Sequence, residues 1–147
     1  MTDDLRASRA KRRLYLDTSA YLCLVLAQDG WEDISGLTED AEIVSSVLLA
    51  LESRRNLIRL ARQGALTSEL YQACMTRVEA DTTRFVLRDL TLDLCASNTL
   101  PAVATPRSLD VAHLRTALWF HASEPIDRFL TMDTSQEAAA RELGLPV

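Results

Sequence analysis

The chain has 147 residues, a formal net charge of −5, and 48 % hydrophobic against 25 % charged residues, the balance of one folded domain and not of a disordered chain. Its longest apolar runs, Tyr21 to Ala27 and Val47 to Leu51, fall far short of the roughly 20 residues a membrane helix needs. The first thirteen residues, MTDDLRASRAKRR, lack the apolar stretch of a secretory signal. Three widely spaced cysteines, Cys23, Cys74 and Cys95, contain no CxxC pair; they argue against a disulfide framework and a zinc site and for a reducing, cytoplasmic setting.

Residues 1–13 read as a loosely ordered basic arm and 14–147 as one domain. Leu14 to Leu16 is a short buried strand that ends at Asp17. Ser19 to Ala27 is helical in pattern, with Thr18 or Ser19 as its cap. Gly30 and Gly36 bracket a short helix over 31–35. Ala41 to Ser45 is a second strand. A long helix runs from Ser46 to about Gln63 and stops at Gly64. Further on come a helix over 67–80, a strand over 85–87 and a helix over 91–97. Pro101 and Pro106 bound a loop, and Ser108 caps a helix over 109–122. Asp127 to Met132 is a fourth strand, 135–143 a last helix closed by Gly144, and Leu145 to Val147 a fifth strand. Strands alternate with helices, so the expected fold is α/β, a short parallel sheet flanked by helices. In such sheets ligands bind beyond the carboxyl ends of the strands. Asp17 and Asp133, which follow the first and fourth strands, therefore share one edge.

Four acids stand out: Asp17, Glu52, Asp110 and Asp133. Each has a plain structural role open to it. Asp17 can start the turn into the next helix. Glu52 has Arg55 and Asn56 three and four residues on and can lie on a solvated face. Asp110 suits the dipole of its helix. Asp133 can cap the last helix, where Thr134 and Glu137 have capping-box spacing. Their contexts, however, are LYLDTSA, VLLALE, RSLDVAHLRTAL and FLTMD. Acids set at the borders of apolar elements are costly unless paired or metal-bound.

In order and spacing, LDTSA, SSVLLALESRR, RSLDVAHLRTAL and FLTMDTSQEAAARELGL closely resemble the PIN-domain family, and within it the VapC-type toxins of bacterial type II toxin–antitoxin pairs. The resemblance covers nearly all of 14–147. It implies a metal-dependent endoribonuclease with Asp17, Glu52, Asp110 and Asp133 as its catalytic and metal-binding acids. Thr18, Ser19 and Thr131 fall where the family carries supporting hydroxyls. It also implies a VapB-type antitoxin, a homodimer, and structured RNA such as tRNA as substrate. The chain departs from some members at Ser135, where they carry an acid or amide; this bears on a second metal and not on the first. The chemistry is coherent, since carboxylate oxygens are hard ligands suited to Mg²⁺ or Mn²⁺. Without a cation, four neighbouring carboxylates do not all stay ionised, and at least one pKa rises. Asp17 and Asp110 are assigned to the principal metal, with Asp133 and Glu52 completing the shell or holding water.

His113 shares a helix face with Asp110 and is expected to be packed or to support a ligand, not to ligate. His121 reads as a surface residue near a helix end. Arg55, Arg59 and Arg62 recur at helical spacing beside Arg54. They form a solvated face or a phosphate-steering strip near Glu52. Trp31 and the helix from Tyr21 are core, or border a groove for an antitoxin segment. Two other functions fit the same fold. One is a PIN-like nuclease acting on DNA in repair; the other is a non-catalytic PIN-like module that binds protein.

Overall fold

The computed structural model describes residues 11–98, 103 and 107–147. Most of the expected arm, residues 1–10, lies outside them, as do Pro101 and Pro106. In chain order the elements are β1 (Arg13–Leu16), α1 (Thr18–Val25), α2 (Trp31–Thr38), β2 (Glu42–Ser46), α3 (Leu48–Arg62), α4 (Ser68–Arg84), β3 (Val86–Arg88), α5 (Leu92–Ala96), α6 (Ser108–Ser123), β4 (Arg128–Leu130) and α7 (Thr134–Glu142). The four strands form one wholly parallel sheet in the order β3-β2-β1-β4. The protein is thus α/β, as the alternation of strands and helices implies.

Side chains alternate across the strands, and both faces are covered. Leu14, Leu16, Ile43 and Leu130 point to one face, where α1, α3 and α4 close a core through Tyr21, Leu49, Leu57 and Val78. Tyr15, Val44 and Phe129 point to the other, against Leu114, Ala117 and Phe120 of α6 and Ala139 and Ala140 of α7. Tyr15 stacks on Phe129 with ring centroids 5.2 Å apart and planes within 8°. Phe129→Ala should therefore cost about 3–5 kcal/mol, read as a lower denaturation midpoint with an unchanged m-value.

Strand order sets the position of the site. The chain passes from β1 outward to β2 and β3, then crosses to β4 on the other side of β1. Right-handed crossovers running in opposite directions put their helices on opposite faces. The direction reverses between β1 and β4, so the switch point at which such sheets bind ligands falls at the carboxyl ends of these two strands.

Several boundaries differ from expectation. Asp17 caps α1, its carboxylate accepting from the Ala20 amide at 3.0 Å, so Thr18 and Ser19 lie inside the helix. Gly36 lies within α2 instead of ending it. The α6 N-cap is Arg107 and makes no side-chain cap bond, so Ser108 opens the helix without capping it. Glu137 pairs with Arg141 at 3.0 Å, and Asp133 alone caps α7. Arg13 belongs to β1, not to the arm: it bonds to Glu42 at 3.2 Å and lies over the Phe120 ring. Leu145 to Val147 form no strand. Leu145 is buried and the Pro146 carbonyl accepts from the Phe129 amide, but Pro146 has no N–H with which to continue a ladder.

Candidate functional site

Asp17 leaves β1 and turns directly into α1, and its amide donates to the Leu130 carbonyl of β4 at 3.1 Å. The first and fourth strands are thereby locked together where the expected site lies. Hydroxyls continue the link. Ser19 Oγ donates to Asp17 Oδ1 at 2.7 Å and accepts from the Met132 amide at 2.9 Å. It also lies 3.2 Å from Thr131 Oγ1, which accepts from the Asp133 amide at 3.1 Å. Ser19 and Thr131 thus join Asp17 to Asp133. Asp133 Oδ1 in turn accepts from the Ser135 and Gln136 amides.

Asp110 comes to the same edge from the first turn of α6. Gln136, buried at the start of α7, fastens it there: its Nε2 donates to the Asp110 carbonyl at 2.9 Å. One residue therefore bonds to both Asp110 and Asp133. Gln136 shares a helix face with the buried Ala139 and Ala140, a pattern that signals packing and not a bond to a neighbouring helix.

Electrostatics separate the acids. Asp17 is almost wholly buried, and that burial raises its carboxyl pKa despite hydrogen bonds from Thr131, Ser19 and the Ala20 amide. Burial also raises Asp110, with Asp133 and then Asp17 adding like-charge repulsion against the pull of Arg107. The rise expected of crowded acids without a cation is present, but in Asp17 desolvation alone produces it, and in Asp110 desolvation leads and like charge is second.

Glu52 behaves differently. Burial pushes its carboxyl up, but hydrogen bonds from His113 and Thr18 outweigh this and hold it below the ordinary range. Thr18 Oγ1 donates to Glu52 Oε1 at 2.8 Å, and His113 Nε2 lies 2.9 Å from the same oxygen. His113 is buried and its Nδ1 is 2.8 Å from the Tyr15 hydroxyl. Burial keeps that phenol protonated, with a pKa well above the ordinary 10.0. His113 is thus packed in the interior. His121 is half-buried, its Nδ1 accepting from the Ile126 amide.

Asp110 lies within electrostatic reach of both Asp17 and Asp133, whereas Glu52 is engaged by Thr18 and His113. Among the described residues, no three Asp, Glu, His or Cys side chains converge into a ready-made metal site. Oxygen is the only donor these carboxylates offer, so a cation they could hold would be a hard divalent one. Arg55, Arg59 and Arg62 lie exposed along α3 beyond Glu52, and the charge of Arg55 helps keep Glu52 ionised. The interior residues of α1 from Tyr21 are core, and Trp31 packs partly buried against them.

A groove of about 880 Å³ lies at the opposite, amino-terminal ends of the strands and includes Glu42, Arg77, Asp81 and Arg84. Its charges are largely spent on one another. Asp81 pairs with Arg84 at 2.8 Å and Arg77 at 3.4 Å, and accepts from the Tyr21 hydroxyl at 2.9 Å. That buried network went unread in the sequence, and it belongs to the packing of α1 on α4. Among the described residues, no helix is long and apolar enough to cross a membrane. The chain matches no family model and no curated protein.

Proposed function

We propose that the chain is a Mg²⁺- or Mn²⁺-dependent endoribonuclease of the PIN-domain type, the toxin of a bacterial toxin–antitoxin pair. The observation that carries this reading is the placement of Asp17 and Asp133 at the ends of adjacent parallel strands, with Asp110 repelled by both. Asp17, Asp110 and Asp133 are the residues that would hold the cation, with Glu52 at the rim. The cation would supply charge neutralisation at the phosphodiester and a water acidic enough to attack phosphorus. Asp17 stays fixed as a helix cap while it serves as a ligand, so its orientation costs little on binding. Ser19 and Thr131 hold the spacing between the two strand-end acids.

Exposed arginines of α3 suit the RNA backbone, since a guanidinium forks onto phosphate oxygens. Arg59→Ala with Arg62→Ala should raise KM for RNA with little change in kcat. It should also flatten the dependence of log affinity on log salt by roughly 1 to 2. The resemblance supplies the rest of the proposal: a VapB-type antitoxin that covers the acids, a homodimer, a cytoplasmic site of action and a structured RNA such as tRNA. Induced expression in a bacterial host tests the toxin reading. Growth arrest with discrete RNA fragments, both absent for Asp17→Asn, is expected; unimpaired growth with intact RNA at confirmed expression would overturn it.

A further inference from the structure

Glu52 stands on α3, His113 on α6 and Thr18 on α1, yet one oxygen of Glu52 is bonded by both of the others. A carboxylate only accepts, so the imidazole proton facing it must sit on Nε2. A neutral ring then offers Nδ1 as an acceptor, and the Tyr15 hydroxyl, 2.8 Å away, is the donor that meets it. Tyr15 has no freedom to leave. It is fully buried, stacked on Phe129, and meets the His113 ring edge-on at 5.9 Å. The chain Tyr15–His113–Glu52 therefore runs from the interior of the sheet to the rim of the acidic edge. Both donors converge on Oε1, and among the described residues Oε2 takes no hydrogen bond.

The geometry points to His113 as a positioning residue of this site, fixing the Glu52 carboxylate through Nε2–H so that Oε2 is left to face a ligand. This inference rests on the nuclease reading. A supporting partner of this kind costs about 10–100-fold in activity or metal affinity when it is lost. Plain core packing makes a different prediction, and two variants of similar size separate the two. In His113→Gln the amide nitrogen reaches the place of Nε2; in His113→Asn it reaches only the place of Nδ1. Both lose ring packing, so both lose stability.

Thermal unfolding, Mn²⁺ titration and RNA cleavage at saturating substrate should be measured on the full chain with both variants. His113→Asn should lose about tenfold or more in kcat with KM unchanged, and His113→Gln should recover most of that loss at comparable stability. In a Glu52→Gln background, His113→Asn should cost nothing further. If both variants remain folded and lose activity equally, or if their losses add to that of Glu52→Gln, His113 is structural and the inference fails while the nuclease reading stands. If the wild-type chain neither binds Mn²⁺ nor cleaves RNA, the nuclease reading fails and takes this inference with it.

Discussion

Asp17→Asn should leave the protein folded, raise its stability at neutral pH in the absence of divalent cations, and lower RNA cleavage by about a thousandfold or more, some 4 kcal/mol of transition-state stabilisation. The fold survives because Asn caps a helix as well as Asp does. Its Oδ1 can still accept from the Ala20 amide and Ser19 Oγ, the two partners of Asp17 Oδ1. The gain in stability follows from the sign of the shift. Burial holds the folded-state pKa of Asp17 above the ordinary 3.8, so an ionised Asp17 penalises the folded state. That penalty is full above the raised pKa. It fades as pH falls through the raised pKa, and it is gone below the ordinary value. The variant's advantage in thermal or urea unfolding should shrink over the same window. A variant less stable than wild type at pH 7 would show that the charge is compensated by partners the account has left out.

Mn²⁺ should reverse that order. A cation that binds only the folded chain stabilises it by about 2.7 kcal/mol at a hundred times its Kd. At roughly 2–4 °C per kcal/mol for a chain of this size, Tm should rise by about 5–10 °C. EDTA should abolish both the rise and cleavage. The rise should be lost in Asp17→Asn and in Asp110→Asn, because each removes a ligand. Glu52→Gln should keep most of it, since Glu52 stands at the rim and Gln retains an oxygen for Thr18 and His113. An equal Mn²⁺ response in wild type and Asp110→Asn would place the cation elsewhere. Asp133→Asn is a weaker test, because Asp133 also accepts from two amides at the start of α7.

What was legible in the sequence is what local rules govern. Alternating apolar strands and periodic helices gave the α/β order, and the topology rule for parallel sheets placed Asp17 and Asp133 on one edge. Gly64 and Gly144 stop their helices with the left-handed backbone that glycine tolerates. What was not legible depends on distant partners. The sequence context of Asp17 fits both a turn residue and a ligand candidate; its capping of α1 leaves the second role open to it, because one oxygen suffices for the cap. Glu52 falls in with the other acids because it too borders an apolar run, VLLALE. Nothing in its neighbourhood announces a histidine 61 residues away, or the tyrosine behind it. Gln136 sits among alanines on a buried face, a pattern that suggests packing. Its bond to the Asp110 carbonyl, which spans 26 residues, exists only once α6 and α7 meet.

Cleavage of total cellular RNA by the purified chain tests the central claim most directly. It should be run with Mg²⁺, with Mn²⁺ and with EDTA, beside Asp17→Asn and with duplex and flap DNA as competing substrates. The account predicts discrete RNA fragments with either cation, none with EDTA, none from the variant and little attack on DNA. Preferential cutting of DNA would move the same acids to a repair-type nuclease. Intact RNA and DNA together with no Mn²⁺ binding would contradict the account and leave a protein-binding module in its place.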